Sequence, residues 1–330
     1  MKVVCDCAMS NERWAYPPAK SPRSTTKHSR TESSVVCDTS FILHPPTFPV
    51  TGFKPAGDGR MWLNPRFQTA LARAHLADFQ AVMACRDGYC LRSLEDRENW
   101  RLEIRNGRAM RGVYLKRHHF RTFRSWLRAK LGMGPSPSPA MAELVNVGRM
   151  TAAGIAVMDV VAYGEAHHGD GRVESFLLTD ELSDYDDLQV FVRRRFAPRE
   201  LERTTRRDAD LTRLIGDTAE LVRRFHAAGY NHRDLYCFHL FVREAAGRFE
   251  FRMIDLQRVQ HRRRLRRRWI VKDLAQLAWS IPRDRIKCTQ KLAFIRRYLG
   301  VTKLRPCDKR LIREVLAKQQ IMERNLGIET

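Results

Sequence analysis

The chain carries Asn231-His232-Arg233-Asp234-Leu235-Tyr236-Cys237-Phe238-His239 and, soon after, Met253-Ile254-Asp255-Leu256. The first stretch is a polar turn built around an aspartate. The second is an apolar strand ending in another aspartate, 21 residues after the first. Phosphoryl transfer needs two such carboxylates: one orients an attacking hydroxyl and accepts its proton, the other holds the metal that neutralises charge on the migrating phosphate. A lone His-Arg-Asp tripeptide in an arginine-rich chain would carry little weight. The elements around this one give it weight.

Upstream, Asp208–Ala228 places Leu211, Leu214, Ile215, Thr218, Leu221, Val222 and Phe225 at helical spacing, and Gly229 stops the helix just before the loop. Downstream, Leu240–Val242 and Phe249–Ile254 read as short strands around Ala246-Gly247, followed by helices at 269–281, 286–299 and 308–324. The first half is strand-rich. Trp100, Leu102 and Ile104 alternate with polar residues, Asn106-Gly107 marks a hairpin turn, and Gly112–Lys116 returns. Helices are expected at 65–83, 118–131 and 140–153, with a Pro/Ser/Gly linker at 132–139 and strands at 155–162 and 173–179. A small β-rich lobe before a larger α-helical lobe predicts an α+β fold with the two-lobe layout of protein kinases. The lobes are drawn at 61–180 and 181–330. Residues 1–60, rich in Ser, Thr, Pro and basic residues, are expected to be loosely ordered, with Phe41–Leu43 a local exception.

Within that layout each candidate residue has a chemical reason. Lys116 ends the return strand, where a lysine reaches the α/β-phosphates of a nucleotide, and Glu143 on the next suitable helix is its natural partner. Lys116 also reads as the start of a surface run, Lys116-Arg117-His118-His119. Asp234 is the candidate catalytic carboxylate and Asp255 the metal ligand. His239 stands where protein kinases place an asparagine ligand to the second metal. Imidazole is a weaker match for magnesium than oxygen, and a core histidine is the alternative. His232 and Arg233 support the loop, and Asp273 is expected to accept hydrogen bonds from its backbone. The loop between the first two strands, Ser93–Asn99, has no glycine, which counts against an ordinary protein kinase. Cys237 is read as packing.

Composition narrows the partners. The 330 residues hold 60 Lys+Arg against 37 Asp+Glu, a formal net charge of +23, which calls for a polyanion. No recognised nucleic-acid motif accompanies the charge, so nucleic acid is the weakest reading. The run Arg262-Arg263-Arg264-Leu265-Arg266-Arg267-Arg268 suits either a solvated face or an acceptor surface that grips phosphate. The basic, aromatic segment around Phe123 and Trp126 fits either packing or rest on lipid headgroups. The eight cysteines form no C-x-x-C pair, no apolar run approaches a bilayer span, and Met1–Ser10 lacks the plan of a secretory signal. The expected address is the cytoplasm, peripheral at the inner face of a membrane.

At these residues the chain resembles the lipopolysaccharide kinase family, whose members phosphorylate heptose or Kdo sugars of the lipid A–core. The resemblance rests on His232–Val242, on Ile254-Asp255-Leu256 running through an arginine-rich segment to Lys272-Asp273-Leu274-Ala275, on Tyr114–His118, and on the Glu143 helix ending at Gly154. It implies ATP, Mg2+, a sugar hydroxyl on an anionic glycolipid as acceptor, and a histidine as the usual residue at 239. A protein kinase of the same fold and a membrane-docking pseudokinase are the competing expectations.

Overall fold

The computed structural model describes residues 52–132, 138–196 and 205–325, all within one compact unit. The N-lobe begins with β1 (Lys54–Ala56) and β2 (Met61–Leu63), the short helices α1 (Gln68–Arg73) and α2 (Phe79–Ala84), then β3 (Tyr89–Leu94), β4 (Arg97–Asn106) and β5 (Ala109–Arg121). After α3 (Phe123–Lys130) and α4 (Pro139–Ala152), β6 (Val160–His167) and β7 (Arg172–Asp180) complete a seven-stranded antiparallel sheet in the order β1-β2-β6-β7-β5-β4-β3. The C-lobe holds β8 (Asp186–Asp187), α5 (Leu188–Arg195), α6 (Thr205–Ala227), β9 (Tyr230–Asn231), β10 (Leu240–Ala245), β11 (Arg248–Met253), β12 (Gln260–His261), α7 (Arg267–Ser280), α8 (Cys288–Leu299) and α9 (Pro306–Asn325).

The central strands of the large sheet are covered on both faces, while edge strand β3 is exposed, and their period of two sorts their residues between two cores. Leu102, Ile104, Val113, Leu115, Phe176 and Leu178 pack with α1 and α2 residues such as Leu71 and Phe79. Leu177, Val160 and Tyr163 point the other way, joining Leu144 and Met150 of α4 and the apolar side of the C-lobe. Lys116 lies opposite Leu177 in the β5–β7 register, so its side chain is on this second face. The cleft lysine is therefore set by strand parity.

Several local expectations change. Residues 65–83 form not one helix but a 3-10 turn and two short helices, interrupted where His75 takes a positive φ of 56° and Asp78 caps α2 through Ala81 N–H. His118–Arg121 are strand, because β5 continues to pair with β7 as far as Arg121–Arg172; the helix starts only at Phe123. The strand expected from 155 starts at Val160. Lys54–Ala56 pairs with β2, so the sheet reaches into the stretch expected to be loosely ordered. Phe41–Leu43 and most of the 132–139 linker lie outside the described residues.

Arg117 is the largest of these changes. It is not on the surface but wholly buried, its Nη1 donating to the carbonyls of Met83 and Cys85 at 2.7 Å each and its Nη2 2.8 Å from Glu98 Oε2. It ties the end of α2 to the strand that carries Lys116. Arg117→Met would remove the buried donor and leave those carbonyls and Glu98 to the exposed Arg86 and to Trp100 Nε1–H. Chemical denaturation should show a loss of about 1–3 kcal/mol, the usual cost of removing one buried hydrogen-bonding partner.

Candidate active site

The loop between β9 and β10 has little regular structure of its own, and α7 supplies the partners it lacks. Gly229, at φ 84°, turns the chain out of α6; a Cβ there would lie 2.4 Å from the Arg262 carbonyl, so only glycine fits. Arg233 then adopts a left-handed φ of 73°, a strained choice for a side-chain-bearing residue. Buried Asp273 holds it there, accepting the His232 N–H at 2.7 Å and the Arg233 N–H at 2.9 Å. One helical face continues the support: Gln276 accepts from Leu235 N–H at 3.2 Å and Ser280 from Cys237 N–H at 2.8 Å. The spacing 273, 276, 280 lines three acceptors along α7 beneath four backbone donors. Asp273 is steadied in turn by His226 Nε2 at 3.3 Å, whose Nδ1 meets the Tyr298 hydroxyl at 2.8 Å. Cys237 is fully buried, and burial pushes its thiol up to about 12, consistent with packing.

Opposite this loop, Lys116 bridges two acids. Its Nζ lies 2.9 Å from Glu143 Oε1 and 2.9 Å from Asp255 Oδ1. Burial alone would discharge the lysine, but Glu143 and Asp255 together hold its pKa above the ordinary value. Burial likewise opposes ionisation of Asp255, and the adjacent Lys116 ammonium overcomes it, keeping the carboxyl well below the usual range. Asp255 sits at φ 56°, fixed by its neighbours: Ile254 N–H donates to the His239 carbonyl at 3.1 Å and Leu256 N–H to Glu143 Oε1 at 3.1 Å. Asn146, one turn beyond Glu143 on α4, donates to the Leu256 and Val259 carbonyls at 2.8 and 3.0 Å.

His239 faces Asp255 with a defined nitrogen. Its Nδ1–H donates to the Asp234 carbonyl at 2.7 Å, which leaves the Nε2 lone pair 3.7 Å from Asp255 Oδ2. The His232 ring stacks on it at 5.6 Å and donates Nε2–H to the Ile254 carbonyl at 3.1 Å. Burial depresses His232 to about 4, so the stacked ring stays neutral. An ionised Asp255 oxygen and a free imidazole lone pair, beside a Lys116–Glu143–Asp255 group of net charge −1, form a donor set that fits a divalent cation.

The Asp234 carboxylate lies within reach of two cations that sequence reasoning did not single out. Arg258 Nη1 is 2.8 Å from Oδ2 and 3.1 Å from Oδ1, and Lys272 Nζ is 3.9 Å from Oδ1. The six arginines of the basic run divide into two roles. Arg262 and Arg268 lie over the Trp269 ring, at 5.8 and 4.7 Å to its centroid, while Arg267 pairs with Glu314 at 2.7 Å. Arg263, Arg264 and Arg266 are exposed.

The sequence and the fold match those of known proteins. A profile of the lipopolysaccharide kinase (Kdo/WaaP) family matches residues 83–298. The chain belongs to that family. Among its relatives, the lipopolysaccharide core heptose(I) kinase WaaP of Pseudomonas aeruginosa is 33% identical over 249 residues, covering 72% of this chain and 83% of the relative. The WaaP of Escherichia coli is 31% identical over 198 residues, covering 58% of this chain and 71% of the relative. The solved structure of WaaP in complex with acyl carrier protein superposes with a TM-score of 0.56 at 31% identity, covering 81% of this chain and 97% of that one. The fold is thus protein kinase-like and the enzyme a phosphotransferase of the Kdo/WaaP family. Every residue of the site from Lys116 to Tyr298 lies within the family match.

The ladder of acceptors on α7 is testable apart from the acidic residues. Gln276→Leu leaves the buried Leu235 N–H without its acceptor and should cost about 1–3 kcal/mol in thermal or chemical denaturation. If the loop carries the chemistry, turnover should fall with it.

Proposed function

We propose that this enzyme transfers the γ-phosphoryl group of ATP to a hydroxyl of a sugar in the lipopolysaccharide core, a heptose in preference to Kdo because the relatives above are heptose(I) kinases. The observation that carries the reading is the meeting of three groups in one cleft: Lys116 anchored by Glu143, Asp255 facing His239, and Asp234 on a loop pinned by α7. Lys116 holds the α/β-phosphates. A Mg2+ ion bound by Asp255 and His239 would neutralise charge on the phosphates. Asp234 orients the acceptor hydroxyl and takes its proton. The acceptor oxygen bonds to the γ-phosphorus as the bridge to ADP breaks, and ADP leaves with the electron pair. Arg258, about half exposed, must yield Asp234 to the incoming hydroxyl.

The test is transfer of labelled γ-phosphate from Mg-ATP to membranes of the source organism, with label separated into glycolipid and protein. Asp234→Ala should cut turnover by about 100- to 10,000-fold, the range for loss of a general base, with nucleotide affinity nearly intact. Label in protein would replace the reading with a protein kinase. Folded wild type that binds ATP but transfers nothing would replace it with a pseudokinase.

The acceptor of this reaction is held in a bilayer, and two surfaces suit a peripheral position on its cytoplasmic face. Arg263, Arg264 and Arg266 offer cations to phosphate-bearing headgroups. On α3 and its end, Phe123, Leu127 and Leu131 recur every fourth residue and are exposed, Phe123 by 76%, between basic residues. Among the described residues no helix is long and apolar enough to cross a membrane. Replacing Phe123, Leu127 and Leu131 together by Asp should abolish most sedimentation with phosphatidylglycerol vesicles while leaving phosphorylation of a delipidated core oligosaccharide unchanged. Undiminished sedimentation would remove α3 from the docking surface.

A further inference from the structure

The catalytic loop supplies Asp234 with no cation of its own. Between Asp234 and Arg243 the chain reads Leu-Tyr-Cys-Phe-His-Leu-Phe-Val. A phosphoryl group in flight carries its charge on three oxygens, and a cation placed where that charge develops is worth far more there than in water. Lys116 is committed to the other wall, between Glu143 and Asp255.

Lys272 fills the gap. It lies on α7 immediately before buried Asp273, so the hydrogen bonds that pin the loop also fix the helical turn from which Lys272 reaches. Its Nζ donates to the Arg233 carbonyl and stands 3.9 Å from Asp234 Oδ1. The carbonyl uses one of its three protons. The side chain keeps 26% exposure, so the ammonium is tethered without being sealed off. Arg258 is closer to the carboxylate, but it occupies both oxygens that the acceptor must reach and is 53% exposed. The cation that has to leave and the cation that can stay are therefore different residues.

We propose that Lys272 is a further catalytic residue: its ammonium faces the phosphoryl group passing between ADP and the acceptor and neutralises the charge that builds beside Asp234. The inference rests on the phosphotransfer reading above. In that step the acceptor oxygen–phosphorus bond forms, the bond to the ADP oxygen breaks, the hydroxyl proton goes to Asp234, and Lys272 keeps its own proton throughout.

The test uses the full chain with Mg-ATP and acceptor membranes, comparing wild type, Lys272→Met, Lys272→Gln and Lys272→Arg. Lys272→Met should lower kcat about 100- to 1000-fold, the scale for losing one preorganised charge-stabilising group. KM for ATP should hold within about threefold, since Lys116 is untouched, and the melting temperature should fall by only a few degrees for the lost hydrogen bond to the Arg233 carbonyl. Lys272→Gln keeps an N–H donor for the Arg233 carbonyl but has no charge, and should remain as slow as Lys272→Met. Lys272→Arg should recover at least about a tenth of wild-type kcat. Rescue by Gln, or loss of kcat that follows loss of folded protein, would show a tether only and overturn the proposal, as would a kcat loss under fivefold in Lys272→Met. Absence of transfer by wild type would instead overturn the function on which the inference rests.

Discussion

The site depends first on the accommodation of a loop whose backbone cannot satisfy itself. Four of its N–H groups point into the α7 face, and each would cost on the order of 1–3 kcal/mol if left unpaired there. Asp273, Gln276 and Ser280 answer them in register with the helical repeat, so the shape of the loop is copied from the spacing of a helix. The left-handed Arg233 is tolerable only because a carboxylate, whose hydrogen bonds are charge-assisted, accepts on both sides of it. That carboxylate is itself buried, and the His226–Tyr298 pair carries its support out to α8. Asp234 thus stands on a platform that extends through three helices.

A second platform comes from α4. Glu143 accepts from Lys116 in the N-lobe and from Leu256 N–H in the C-lobe, while Asn146 holds the next carbonyls of the same segment. One helical face therefore fixes Lys116 and the Asp255 turn relative to each other. Its own placement is built from capping and packing: Ser138 caps the helix through Met141 N–H and meets Glu165 of β6, and Leu144 and Met150 bury against the sheet. A shift of α4 would move Lys116 and Asp255 apart in a single motion.

What could be read from the sequence followed from locality. Asp234, His239 and Asp255 share one short stretch, and Asp273 is marked by the Lys-Asp-Leu-Ala block, so their association was legible before any coordinates. Lys116 and Glu143 were found because the return strand ends in a lysine and the next suitable helix offers a carboxylate, the order of a kinase-like layout. Asn146, Arg258, Gln276 and Ser280 were missed: their partners are backbone groups or a distant carboxylate, and no residue-type pattern announces such a contact. The one usable signal was polar residues at helical spacing on the apolar face of α7. The strand at His118–Arg121 was mistaken for helix because the segment is fully amphipathic in neither period, and pairing with β7 decided its conformation. The surface run Lys116-Arg117-His118-His119 was the competing reading of Lys116, and nothing in the sequence marked Arg117 as buried; the carbonyls of the α2 terminus and Glu98 make its burial tolerable.

These two platforms meet at Arg258. It lies three residues after Asp255, at the end of the 3-10 turn held by Glu143 and Asn146, and its guanidinium reaches across to both oxygens of Asp234. A hydroxyl that takes its place must displace an ion pair anchored to the segment that also positions the candidate metal ligand. The Asp234 carboxylate and the Lys116–Glu143–Asp255 group are thereby linked through one short turn. In a transition state with loose bonding to the phosphoryl group, orientation and charge compensation matter more than the strength of the base. The arrangement provides for both: Arg258 is on an exposed arm that can give way, and Lys272 is held by the same loop that carries Asp234. In the proposed reaction, removal of one cation then opens the carboxylate to the acceptor without leaving it beside an uncompensated phosphate.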